Sequence, residues 1–322
     1  MKILSTIFSS LLLCTLSLNA DRFYVSATAA GGGDGLSWET AYRHLQDALG
    51  DIKNDNNDEV WVTAGTYFPD EGDGQVDGDR EATFFVKRTT TLYGGFAGTE
   101  TSTGQRDLET NVTILSGAIS ATKADWSLHV TKIANASIDG VTITNGNANG
   151  LVSPDNEGGA VDASGINTAR DCTFIGNCAK IAGVAQGGTW TIIDCIFSDN
   201  EAEQQGGVAS AGNWTVSGSL FSNNSAPIAG VAFGGTWTVT DSEFSDNDAS
   251  TQGGVANNGT WTVNGGMFSN NSAPQGGVAN GGAWEVTDVT FSDNDASTQG
   301  GVANIGTWTT LSGSMFSNNT SP

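Results

Sequence analysis

The sequence predicts an all-β fold: a right-handed parallel β-helix, a solenoid with three short strands in each coil of about 24 residues, closed at its amino end by a short capping helix. Three sets of marks predict it. Phe-x-x-Asn recurs at Phe174/Asn177, Phe197/Asn200, Phe221/Asn224, Phe244/Asn247, Phe268/Asn271, Phe291/Asn294 and Phe316/Asn319, in steps of 23, 24, 23, 24, 23 and 25. A Gly before Ala or Val recurs at Gly159, Gly183, Gly207, Gly230, Gly254, Gly277 and Gly301. A tryptophan recurs at Trp190, Trp214, Trp237, Trp261, Trp284 and Trp308. All three keep one period, so the unit is structural and repeats by stacking.

Taken in chain order, Met1–Ala20 reads as a secretory signal: Lys2, then an uncharged apolar and small-polar run, then Leu18-Asn19-Ala20 with cleavage expected between Ala20 and Asp21. Residues 21–155 form a cap and first, irregular coils; residues 156–322 are the regular repeats. Phe23-Tyr24-Val25 is a strand candidate. Gly31-Gly32-Gly33-Asp34-Gly35 follows and is no phosphate loop, because no Gly-Lys-Ser/Thr ends it. Ala41, Leu45, Ala48 and Leu49 mark one face of a short helix stopped at Gly50, a suitable cover for open strand edges. Strands of longer coils are expected at Glu59–Phe68, Ala82–Tyr93, Val112–Leu115, His129–Ile133 and Ser137–Ile143. Asp70–Arg80 is an acidic loop. Asp73, Asp77, Gly78 and Asp79 partly match a calcium loop, but Phe84 stands where its twelfth-position Glu belongs.

Each repeat has β-type runs such as Trp237-Thr238-Val239-Thr240 between Gly, Asn, Asp and Ser, and lacks the amphipathic runs of a helical repeat. The Leu ladder of a leucine-rich horseshoe is absent, and each unit is too short for a propeller blade. Strand parity puts Trp237 and Val239 on one side and Thr238 on the other. Two placements follow for the column Trp190, Trp214, Trp237, Trp261, Trp284 and Trp308: in the core, or outside as a flat strip for sugar rings. Alternation with polar Thr beside Val favours the core. The turn residues Asn200, Asn224, Asn247, Asn271 and Asn294 fit a structural amide ladder rather than a catalytic role. Two positions after each Phe the chain reads Asp199, Asn223, Asp246, Asn270, Asp293, Asn318; four after, it reads Glu201, Ser225, Asp248, Ser272, Asp295, Thr320. Acid and neutral alternate, so the true period is a 47-residue pair. Alternation keeps carboxylates from stacking directly at ~4.8 Å.

The chain holds 35 acidic and 12 basic residues, a net charge of −23. Such a surface repels nucleic acid and anionic lipid. No stretch beyond the amino terminus is apolar enough for a transmembrane helix. After the signal, Cys172, Cys178 and Cys195 remain, with no C-x-x-C pair, so neither a disulfide scaffold nor a structural zinc site is expected. Cys172 and Cys195 each precede a Phe by two and should stack, as buried thiols or as a disulfide.

Phe23-Tyr24-Val25-Ser26, Gly35-Leu36-Ser37-Trp38, Leu45-Gln46-Asp47-Ala48-Leu49 and Val60-Trp61-Val62-Thr63-Ala64-Gly65-Thr66-Tyr67 resemble the cap and first coils of secreted right-handed β-helix proteins of the pectate-lyase-like superfamily. The repeats, for example Gly206-Gly207-Val208-Ala209 with Phe221-Ser222-Asn223-Asn224, resemble those of chlamydial polymorphic outer membrane proteins. The resemblance implies a secreted or surface-exposed protein, with adhesion to a glycan or to a protein of a host or neighbouring cell. Those membrane proteins resemble autotransporters with a carboxy-terminal barrel, and none is found here. The chain stops at Asn319-Thr320-Ser321-Pro322, directly after a repeat mark, so a truncated product or end-to-end association is expected. A polysaccharide lyase of this fold would use an Arg or Lys base and Ca²⁺. From Ile181 to Pro322 there is no Lys, Arg or His. Lys123, Lys132, Arg170 and Lys180 are scattered, and His44, expected in the helix, and His129, expected in a strand, stand alone. Paired acids of the glycosidase kind are open, since many pairs exist. No catalytic, metal or cofactor residue is assigned.

Overall fold

Four parallel sheets, not three, build the regular coils, with 11, 10, 8 and 7 strands, the seven-stranded one beginning only at Asn147–Ala148. The structure, a computed structural model, describes residues 20–53 and 57–322. The signal segment therefore lies outside the described residues, apart from Ala20. One coil shows the course: Ala185–Gln186, Thr189–Ile193, Ile196–Ser198, then Glu201–Gln205. We refer to the four sheets as the alanine, tryptophan, phenylalanine and acidic sheets, after these strands. The all-β right-handed parallel β-helix is as expected; three strands per coil holds for the first coils, as in Glu59–Thr63, Gly65–Tyr67 and Phe84–Lys87, and is corrected to four from Asn147–Ala148 onward. The added strands have no β-type signature. Ala185–Gln186 is two residues long, and Glu-Ala-Glu-Gln-Gln reads as a turn; stacked copies supply the backbone partners that each lacks alone.

The corners need left-handed backbone. Asp199, Asn223, Asp246, Asn270, Asp293 and Asn318 all have φ of 53–57°. Asn and Asp tolerate this conformation where most side chains do not, which restricts the position to the two residues that alternate there. Corners also divide the long expected runs. Glu59–Phe68 is two strands, Glu59–Thr63 and Gly65–Tyr67; Ala82–Tyr93 is Phe84–Lys87 and Thr91–Phe96, parted by Arg88 and Thr89 at φ 54° and 60°.

The interior is a set of columns. Rings of Trp214, Trp237, Trp261 and Trp284 stack with centroids 4.8–4.9 Å apart, and all are at most 2% exposed. Trp190 completes the buried column; Trp308, stacked on Trp284, is partly buried. A parallel phenylalanine column runs from Phe174 to Phe316 and meets the indoles edge-on. Each stacked pair adds ~0.5–1.5 kcal/mol beyond its area burial. The recurring glycine is explained by the next coil: a Cβ on Gly254 would lie 2.1 Å from the carbonyl oxygen of Gly277.

At the amino end, helix α1 (Leu45–Asp51) buries Leu45, Ala48 and Leu49 against the strands Arg22–Val25, Glu59–Thr63 and Phe84–Lys87. Gly50 lies inside the helix and does not stop it; the chain leaves at Ile52, whose side chain is buried in the core in extended backbone. Ala41 precedes the helix, beside the bridge Val25–Tyr42. Among the described residues no helix is long and apolar enough to cross a membrane.

Candidate functional site

Seven Asn side chains form one continuous ladder at the corner after the phenylalanine strand. Asn224 shows the pattern. Its Nδ2 donates to the Phe197 carbonyl at 2.9 Å and to Asn247 Oδ1 at 3.0 Å. Its Oδ1 accepts the Asn200 backbone N–H at 3.1 Å and Asn200 Nδ2 at 3.0 Å. Asn200, Asn247, Asn271 and Asn294 repeat this, and Asn177 to Asn294 are 0% exposed. Every polar group of the amide is used internally, so the ladder has no capacity left for a substrate. The indole N–H groups of Trp190, Trp214, Trp237, Trp261 and Trp308 have no partner, and the column faces the core, so it offers no strip to a sugar.

Cys172 and Cys195 are free, buried neighbours; the Cys172 N–H donates to Cys195 Sγ at 3.4 Å. In the next coils Ser219 and Ser242 hold the same position and accept the same backbone bond. The thiols thus stand in a hydroxyl column. Burial, then the Cys195 thiol beside it, pushes the Cys172 thiol well above its usual range, which makes it unreactive.

The charged candidates are kept apart. Lys132, on the alanine sheet, pairs with Asp162. Arg170 ends a tryptophan-sheet strand. His44 is the residue before the helix and stands 3.5 Å from Glu71. His129 precedes its expected strand, which begins at Thr131; its Nδ1 bonds the Gly158 carbonyl at 2.9 Å.

Lys123 alone enters a concave site. Arg80 Nε donates to the Trp126 carbonyl at 2.7 Å and its Nη2 to Asn149 Oδ1 at 2.8 Å. Asn147 Nδ2 donates to the Lys123 carbonyl at 2.8 Å. These bonds fasten the 3-10 turn Lys123–Asp125 over the acidic sheet. The groove beneath it, about 350 Å³, is lined by Lys123, Asn147, Asn149, Cys178, Glu201 and Glu203, with two alanines. Lys123 Nζ is 3.8 Å from Glu201 Oε2. Cys178 and then Glu201 raise the ammonium above its ordinary range against the opposing effect of burial, so Lys123 stays protonated and is no base at neutral pH. Burial also raises the Cys178 thiol, against the pull of Lys123. The groove can hold a polar ligand by charge and amide contacts. It presents neither a deprotonated amine nor a thiolate.

Sequence reasoning missed this groove, yet a signal was there. The first coils depart from the repeat on one strand: Cys178-Ala179-Lys180 where later coils read Ser-Ala-Pro, and Glu201-Ala202-Glu203 where they read Asp-Ala-Ser. A second hollow of about 570 Å³ lies at the cap, beside Tyr42, Gln46, Asp47, Asp51 and Asp73. There the Tyr42 hydroxyl donates to Asp51, and burial followed by that carboxylate pushes its pKa up to about 12. Among the described residues no three His, Cys, Asp or Glu side chains gather as a metal site.

Comparison with solved structures finds the same parallel β-helix fold in another protein. The chain is similar to the crystal structure of pectate lyase Pel9A, with 12% identity and a TM-score of 0.55, over 95% of this chain and 79% of that one. At that identity the likeness is one of fold. No protein-family model matches the chain. No curated protein matches it either.

Proposed function

We propose that this is a secreted or cell-surface β-helix protein that acts by display and adhesion, without catalysis. The observation that carries the reading is the chemistry of the stack. From Ile181 to Pro322 there is no Lys, Arg or His, and the recurring polar side chain of the interior, the Asn ladder, is fully engaged with its own copies. In the earlier coils Lys123 lies on a 3-10 turn and Lys132 and Arg170 on two different sheets, and the first two sit beside carboxylates. A rigid, uniform rod suits a surface scaffold, since its length is set by coil number and its faces repeat. Export is supported by the character of Met1–Ala20 and surface display by the likeness of the repeats to polymorphic outer membrane proteins. The ligand expected is a glycan or a protein of a host or neighbouring cell. The test is to incubate the purified chain with polygalacturonate and calcium while following the ultraviolet absorbance of unsaturated product, and in parallel to measure retention of whole cells on the immobilised chain. Cell retention with no product is expected; formation of unsaturated sugar overturns the reading.

A second reading, polysaccharide binding or cleavage, is favoured by the groove under Lys123 and by the fold shared with a pectate lyase. Glu201 and Glu203 project from one face of a strand, so their carboxylates are roughly 7 Å apart by strand geometry, within the range of an inverting pair. Release of reducing ends from a polysaccharide panel, lost in Glu201→Gln and Glu203→Gln, would establish it in place of the first.

A further inference from the structure

The twelve acidic residues after Ile181 are not spread evenly around the solenoid. Asp194, Asp241 and Asp288 sit at the corner after the tryptophan strand, Asp199, Asp246 and Asp293 at the next, and the remainder, apart from Glu285, on the phenylalanine and acidic sheets. The outer face of the tryptophan sheet is therefore uncharged, among the described residues, from Thr189 to Asn264. It is bounded by Arg170 on one side and Glu285 on the other. Its middle column is Thr168, Thr191, Thr215, Thr238 and Thr262, one threonine in each of five successive coils. Flanking positions are also hydroxyl-rich: Thr189, Thr236 and Thr260 on one side, Ser217 and Thr240 on the other.

This face is ordered in two dimensions. All five residues of each strand pair without a register shift from the strand at Ile166 to that at Ala283. The stacked indoles beneath repeat every 4.8–4.9 Å, which fixes the spacing between coils. Along a strand, alternate side chains are ~6.7 Å apart. The result is a rectangular mesh in which nine of the twelve outward positions from Thr189 to Asn264 are hydroxyls, eight of them threonines that add a methyl group, interrupted by Ile193, Asn213 and Asn264 and held rigid by a ring column. Water oxygens on an ice plane repeat on a comparable mesh.

We propose that this face is an ice-binding surface, its partner the ordered water lattice itself. Hydroxyls in register fix waters at lattice positions, and fixing each water costs entropy, so many small, aligned contacts are needed. The methyl groups leave those waters few competing protein partners. The absence of charge on this face, shared only with the narrow two-residue strands of the alanine sheet, matches an uncharged lattice and disfavours an ionic partner. A second copy of the chain fits poorly. The uncharged face of four strands covers on the order of 300 Å², whereas a stable interface buries ~800 Å² per partner. A polysaccharide is disfavoured because this face has no aromatic ring for stacking; its tryptophans all point inward.

The test uses the full chain, its Thr238→Tyr and Thr215→Tyr variants, and Ser250→Tyr on the exposed acidic sheet as control. Each is checked first for an unchanged cooperative melt. Thermal hysteresis and inhibition of ice recrystallisation are then measured. Activity in the parent and in Ser250→Tyr, abolished in a folded Thr238→Tyr or Thr215→Tyr, is the expected result. An inactive parent, activity that survives both threonine variants, or activity lost equally in the control overturns the proposal. So does binding to microcrystalline cellulose or chitin that Thr238→Tyr removes without any effect on ice, which would make the occupant a neutral polysaccharide.

Discussion

At the scale of the residue, the molecule depends on side chains that meet only their own copies. Asn247 donates to the Phe221 carbonyl and to Asn271 Oδ1, and accepts both the backbone N–H and the Nδ2 of Asn224. Asn247→Ala removes all four bonds and strands donors and acceptors that water cannot reach. A loss of about 3 kcal/mol is expected, because an unsatisfied buried group costs more than a bond is worth. Asn319 is only partly buried at the ladder's end and makes fewer such bonds, so Asn319→Ala should cost less. Urea melts of the two variants check the order; equal midpoints would mean that the ladder does not act through desolvation. This column was legible because an amide at every corner has few other uses. The unpaired indole N–H groups were not legible, since parity tells which way a ring points but not what its nitrogen meets.

At the scale of the element, the alternation of 23 and 24 residues has a physical origin in the acidic sheet. Strands Glu201–Gln205, Asp248–Gln252 and Asp295–Gln299 have five residues, and Ser225–Ile228 and Ser272–Gln275 have four. The register shifts at every pairing, so each longer strand bulges against a shorter one that contains Pro227 or Pro274. Proline donates no ladder bond, and its carbonyl instead accepts the hydroxyl of Thr251 or Thr298. The period was visible in the sequence; the bulge was not, because Ser-Ala-Pro and Asp-Ala-Ser-Thr look like loops until they stack. The same sheet shows how its acids are accommodated: Ser272 donates to Asp248, and Thr320 to Asp295. Ser272→Asp replaces a donor with a third carboxylate between two others. Each new neighbour ~4.8 Å away repels by roughly 1 kcal/mol in bulk water before salt screening. The melting temperature should fall at low ionic strength and recover largely at high salt. A loss independent of salt would assign the cost to the missing hydroxyl alone.

At the scale of the whole molecule, stability is close to a sum over coils and the contacts between neighbours. Fold class was therefore readable from a repeat, whereas the groove was not: Lys123, Cys178 and Glu201 belong to three separate places in the chain and meet only after winding. Additivity also yields a direct test of the 47-residue pair. Deleting residues 223–269 joins Ser222 to Asn270 and restores Phe-Ser-Asn-Asn-Ser. It keeps long strand against short and acid against hydroxyl. Deleting residues 223–245 joins Ser222 to Asp246, so Glu201 stacks on Asp248, Asp199 on Asp246, and two five-residue strands face each other without their shorter partner. If coils were interchangeable, the larger deletion would cost more, since it removes two coils of aromatic stacking. If the pair is the unit, the smaller deletion melts lower, and the gap widens as salt is withdrawn, because like charges then stack unscreened. Melting both variants at low and high ionic strength decides between these, and a smaller deletion that stays the more stable at low salt would leave the alternation as a trace of duplication with no energetic role.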